Sequence, residues 1–238
     1  LQRYGFTGCT TALHIAMAGT SFEIVRLLLQ YGADPFETDV AGNDPLMFAS
    51  IFGHTDNVKL WLSKFPDWDL ERKNTANGAS ALAGTVYFGP DRMDIVKLLL
   101  NHGAMMDSQT SSGSTILMVL CECEDGSPEV LEFVINYFKK TCLKLQHVNN
   151  RRIGSTLKWR SIQRITRFLT RYKLTESGLI EFLANKSGAT PLQHAIQRGD
   201  VDVVNILLRH GADPTIKNDL GKTPLDYCDA FPELRGAL

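Results

Sequence analysis

The chain has 238 residues, with 25 Lys and Arg against 26 Asp and Glu, and 44% of it is hydrophobic. This is the composition of a folded chain rather than of a disordered one, and the longest uninterrupted apolar run, Ile116 to Cys121, is too short to span a membrane. Five cysteines at irregular spacings argue for reduced thiols inside a cell, cytoplasmic or nuclear, rather than for a disulfide framework. The net charge of −1 hides an asymmetry, because Lys139 to Lys173 holds eleven basic residues and no acidic one.

A glycine recurs at Gly8, Gly42, Gly78, Gly113, Gly154, Gly188 and Gly221, at intervals of 34, 36, 35, 41, 34 and 33 residues. A fixed period near 33 predicts a stacked array, in which each unit buries its apolar face only against its neighbours. Unit one, about 8–41, has predicted helices Thr11 to Ala18 and Phe22 to Tyr31. Unit two, about 42–77, opens Asp44-Pro45-Leu46, an N-cap followed by a proline at the first helical position. Its turn is aromatic, and Trp68 is read as packed on the preceding helix. Unit three, about 78–112, carries Pro90 between its helices. Unit four, about 113–153, has predicted helices Thr115 to Cys123 and Pro128 to Lys140. Cys121 and Cys123 are two apart on a helix and point away from each other, so they do not suggest a metal site.

Unit five, about 154–187, departs from the pattern. Leu157 to Tyr172 lacks Gly and Pro, and it sets an apolar stripe beside Arg160, Arg164, Arg167 and Arg171. The repeat register asks for two short helices here and the periodicity for one long one; an elongated helix in a distorted unit reconciles them. An enlarged loop is expected from Cys142 to Ile153. Unit six, about 188–220, has Thr190 as N-cap, Pro191 at the first position and Gly199 and Gly211 as helix stops. Unit seven, about 221–238, has room for one helix. The sequence opens almost inside a repeat, so it is read as a piece of a longer protein.

The motifs Thr190-Pro191-Leu192, Val204 to Leu208 and Gly211-Ala212-Asp213-Pro214 together resemble an ankyrin repeat, and they return along the chain. The resemblance implies one all-α ankyrin-repeat solenoid of six to seven helix–turn–helix units with β-hairpin-like turns, over residues 1–238, with one divergent unit at about 142–187. It also implies a non-catalytic scaffold that binds a protein on its concave turn and first-helix surface. The family's contact positions fall here on Ile15, Phe48, Gly84, Val119, Trp159, His194 and Tyr227. The rings of Phe48, Trp159 and Tyr227 either anchor a partner or pack on a neighbouring turn. Arg151, Arg152, Lys186 and Lys222 lie at or beside turn positions.

With Arg160, Arg164, Arg167 and Arg171 they make a basic block that is either a solvated face or an anion site. The first choice of partner is an acidic protein segment; nucleic acid and anionic lipid come after it. No nucleotide-binding, nucleophile-elbow or paired-cysteine motif is present, so no catalytic residue, metal or cofactor is expected. The other open reading is a regulatory domain of an enzyme or channel whose functional part lies outside this chain.

Overall fold

A computed structural model of the chain describes residues 10–88, 92–123, 127–141, 148–231 and 234. The opening Gly8, Pro90 and most of the expected loop, 142–147, lie outside the described residues. Contacts group the chain into two compact units, Leu1–Thr110 and Ser111–Leu238.

The first unit holds three helix pairs: α1 (Ala12–Met17) with α2 (Phe22–Gln30), α3 (Pro45–Phe52) with α4 (Thr55–Lys64), and α5 (Ala81–Phe88) with α6 (Arg92–Asn101). Local chemistry sets the boundaries. Thr11 Oγ1 accepts the His14 N–H, Asp44 accepts that of Met47, and Gly53 closes α3 in the left-handed conformation. The first helices pack side by side, α1 on α3 and α3 on α5, and the second helices follow, α2 on α4 and α4 on α6. At the α3–α5 contact a Cβ on Gly84 would lie 2.9 Å from the Ile51 side chain, so that helix pair closes only over a glycine.

Leu46, Val58, Trp61, Leu82, Ile95 and Leu99 fill the core, each burial contributing about 1.5–3 kcal/mol. Trp68 joins it, edge-on to Trp61 at 5.0 Å and stacked on Phe36 at 5.2 Å. Polar joints tie successive repeats together. The Thr11 N–H donates to His14 Nδ1, which leaves the ring proton on Nε2 to donate to the Asn43 carbonyl at 3.1 Å. Asn57 Nδ2 donates to the carbonyls of Ala16, Met17 and Gly19, and so satisfies acceptors that the end of α1 leaves unpaired.

Each finger between repeats is closed by one recurring device. The Asp39 N–H donates to the Asn43 carbonyl, the Gly42 N–H returns to the Asp39 carbonyl, and the Asp39 carboxylate accepts the N–H groups of Ala41 and Asn43. Asn74 does the same between Ala79 and Gly78, and Asn218 between Lys222 and Gly221.

The second unit contains α7 (Ile116–Glu122) with α8 (Pro128–Lys140), α9 (Leu157–Arg171) with α10 (Gly178–Lys186), α11 (Pro191–Arg198) with α12 (Val201–Arg209), and a 3-10 helix, Pro224–Ala230, on α11. The divergent region thus forms one long and one short helix, of 15 and 9 residues. The packing order departs from the chain order. The main partner of α7 is α11, that of α8 is α12, and that of α9 is α10.

The inward face of α9 is also unexpected: Gln163 and Thr166 are buried, whereas Leu157, Ile165, Phe168 and Tyr172 of the apolar stripe are exposed. Gln163 accounts for its burial, because it accepts the Gly154 N–H at 3.0 Å and donates to the Ser112 carbonyl at 3.3 Å.

Candidate partner-binding surface

The second unit carries two groupings of the basic residues that the sequence singles out, one inside and one on the surface. The inner one surrounds Glu122, at the end of α7. Its Oε1 receives Arg152 Nη1 at 3.1 Å and Lys186 Nζ at 3.2 Å, and lies 3.4 Å from His194 Nδ1. Arg152 Nη2 also donates to Ser112 Oγ at 2.6 Å. Burial opposes the Glu122 charge, yet His194, Arg152 and Lys186 outweigh it and hold its pKa below the usual carboxylate range. Burial pushes His194 down to about 4 against the pull of Glu122, so at neutral pH the ring is uncharged.

Arg152 and His194, expected to face a partner, are therefore corrected to interior positions, at 8% and 2% exposure. Lys186 is mostly covered as well, its ammonium 4.5 Å from the Phe182 ring centroid. In the first unit Phe48 is likewise corrected: it lies on α3, between α1 and α5, fully buried and edge-on to His14 at 4.9 Å.

The surface grouping lies on α9. Thr156 starts the helix by accepting the Trp159 N–H, and the absence of Gly and Pro lets it run 15 residues. Arg167 is held by Asp219, with Nη1 2.8 Å from Oδ2, and Arg151 pairs with the other oxygen of the same carboxylate. Arg160 Nε donates to the Gly154 carbonyl at 2.9 Å. Arg164 and Arg171 remain exposed, with no ion pair or hydrogen bond among the described residues. They border a hollow of about 210 Å³ that Arg167, Phe168, Tyr172 and Asp219 complete, and the Phe168 and Tyr172 rings touch at 4.8 Å.

Trp159 is half-buried at the start of this helix. Tyr227 is half-buried too, but occupied: its hydroxyl accepts from Asn218 at 2.8 Å and donates to Asn185 Oδ1 at 3.0 Å, and burial pushes its pKa up to about 12. Of the expected contact residues the structure thus brings together Arg151, Arg160, Arg164, Arg167 and Arg171, and it places Phe48 in the other unit. Phe168, Tyr172 and Asp219 belong to the surface without having been singled out as contacts. Phe168 and Tyr172 stood in the apolar stripe; nothing in the local sequence around Asp219 marks it.

Comparison with known proteins agrees with this architecture. Models of ankyrin repeats match residues 4–74, 46–144 and 179–228. The ankyrin repeat and KH domain-containing protein mask-1 of Caenorhabditis elegans is 28% identical, with 88% of this chain aligned, and the chain spans 9% of that protein's length. Among solved structures, a chain of the Bdellovibrio bacteriovorus predatory endopeptidase in complex with an immunity protein superposes with a TM-score of 0.64 at 24% identity, covering 94% of this chain and 93% of that one. The ankyrin repeat domain of Bcl-3 gives 0.61 at 24% identity, covering 92% and 77%. With its helix pairs, its closed fingers and matches over most of its length, the chain belongs to the ankyrin repeat family.

Proposed function

We propose that the chain is a non-catalytic scaffold that binds a protein partner on its fingers and first helices, with α9 carrying a basic patch for an acidic segment of that partner. The observation that carries the reading is the pair Arg164 and Arg171, two guanidinium groups with no counter-charge beside an apolar-edged hollow. Exposed unpaired cations repel one another at a cost, and an anionic ligand relieves it. Membership in a family of protein-interaction modules supports a protein as the ligand, and the structurally similar chain from a complex with an immunity protein is in keeping with that. An intracellular site, cytoplasmic or nuclear, fits the three described cysteines, Cys121, Cys123 and Cys228, which are free and buried.

A polyglutamate peptide probes the patch. Wild-type binding should weaken steeply with salt, since charges more than about 10 Å apart are screened at 0.1 M. Arg164→Gln with Arg171→Gln should weaken it further, while stability changes by no more than about 1 kcal/mol for each exposed charge. Equal affinity of variant and wild type would make α9 a merely solvated face. The share of mask-1 that the chain spans favours a second reading, in which the scaffold is the regulatory part of a longer protein.

A further inference from the structure

Residues Gly154 to Lys186 occupy an unusual place in the backbone. The Arg152 N–H donates to the Ala189 carbonyl at 2.9 Å, and the Gly188 N–H donates to the Arg152 carbonyl at 2.9 Å. These are the two bonds that Asp39 makes with Asn43 and Gly42, and Asn218 with Lys222 and Gly221. Arg152 therefore stands where every other described finger has Asp or Asn. The register holds on both sides. Asn149 Oδ1 accepts the Asp213 N–H at 2.8 Å as Glu71 Oε1 accepts that of Met105 at 2.9 Å. A Cβ on Gly113 would collide with Ile153, one on Gly42 with Thr75, and one on Gly188 with Asp219, in each case the residue after the finger's base.

Ser187 then matches Ala41, so that 154–186 are additional, 33 residues between two adjoining positions of one finger. The missing acidic or amide side chain follows from this: Asp39 uses its carboxylate to close a tight turn, and at Arg152 there is no tight turn to close. The packing of α7 on α11 and of α8 on α12 says the same, and so does the match to ankyrin models, which omits residues 145–178.

We infer that Gly154–Lys186 is a helical hairpin inserted at the tip of a repeat finger, dispensable to the stack, whose outer α9 face docks an acidic amphipathic helical segment of a partner protein. The inference rests on the scaffold reading and narrows it. A stacked repeat buries its apolar residues against both neighbours, whereas here Leu157, Ile165, Phe168 and Tyr172 are left exposed. Arg164 and Arg171 share that face and lie about 10 Å apart along the helix, two turns. A complementary helix would place two carboxylates at that spacing, with a bulky apolar side chain between them over the Phe168 and Tyr172 rings. Neither polynucleotide nor a lipid surface supplies that alternation of charge and apolar bulk at a fixed spacing.

The test joins Ile153 directly to Ser187. The shortened chain keeps Arg152 on Glu122 and Arg151 on Asp219, and amide exchange should show α7, α8, α11 and α12 still protected. In the full-length chain, Thr166→Pro should break α9 and strip protection from α9 and α10 alone. Loss of protection in α11 and α12 in both variants would mean that 154–186 is a stacked repeat, and would overturn the inference.

The binding probe is an 18-residue helical peptide with Glu residues seven apart and Leu and Phe between them, compared with its Gln counterpart. At least tenfold weaker binding is expected for the shortened chain, for Arg164→Gln with Arg171→Gln, and for the Gln peptide. Undiminished binding by the shortened chain would overturn the docking role of the hairpin while leaving a scaffold that binds through its other fingers. Tighter, α9-dependent binding of polyuridylate, or of phosphatidylserine vesicles, than of the peptide would overturn both the inferred occupant and the reading of the patch as a protein site.

Discussion

At Glu122 a single carboxylate answers three basic side chains in the interior, and its removal is costly for that reason. Glu122→Gln leaves Arg152 and Lys186 covered without a counter-charge, the circumstance in which breaking a buried pair costs about 3–5 kcal/mol. Urea denaturation at pH 7 measures that loss, and a change under 1 kcal/mol would show that water reaches the site. His194 adds a pH signature. Its folded-state pKa of about 4 lies below the ordinary value of 6.5, so the unfolded chain binds the proton first. The stability that neutral His194 contributes is complete above pH 6.5 and is lost as pH falls toward 4. Between pH 7 and 4.5 this amounts to roughly 2–3 kcal/mol, at 1.36 kcal/mol for each pKa unit. His194→Gln should remove that part of the acid slope, and a difference curve flat across the window would contradict the assignment. The His14 pKa is also lowered by burial, so the variant must be compared with wild type and not with a flat baseline.

At the scale of the element, helix boundaries were legible because their signals are local. Thr11, Asp44, Thr115, Thr156 and Thr190 each accept a backbone N–H at the predicted helix start. Register across the array was not legible at unit five. The inserted 33 residues match the repeat period, so Gly154 and Gly188 keep the spacing of neighbouring units although only Gly188 sits in a finger turn. The burial of Arg152 and His194 was equally hidden, because it depends on Glu122, far from both in the sequence. Phe168 and Tyr172 were visible as part of a stripe, but a stripe alone does not say whether it faces the core or the solvent. A pair of glycine substitutions tests the finger geometry. Gly113 has φ +84°, and a Cβ there would lie 1.9 Å from the Ile153 carbonyl oxygen; Gly221, at φ +83°, has open space around it. Both alanine variants carry the left-handed strain of about 1 kcal/mol. Gly113→Ala must also displace backbone, and its thermal midpoint should fall well below that of Gly221→Ala. Equal midpoints would mean that the finger strand bearing Ile153 is free to move.

For the whole molecule the question is how far a local defect spreads. In a repeat array stability is close to a sum of unit terms and nearest-neighbour interfaces, so damage is felt by the adjoining elements and fades beyond them. Leu207 is a suitable probe: it is fully buried on α12, which packs on α8 and α11. Leu207→Ala removes transfer free energy and leaves a cavity, at a cost of about 2–5 kcal/mol. Amide exchange should accelerate in α8, α11 and α12, then in α7 through α11. The six helices of the first unit should keep their wild-type protection, since no step of that path reaches them. The fate of α9 and α10 makes the measurement sharper. Were they a link in the stack between α7–α8 and α11–α12, they would lose protection at least as fast as α8. Carried on a finger, they are joined to α11 through Lys186, Ser187 and the ion pair of Arg167 with Asp219, and should respond less than α8 does. Uniform acceleration through all twelve helices would instead mark a single cooperative globule and would refute nearest-neighbour stacking.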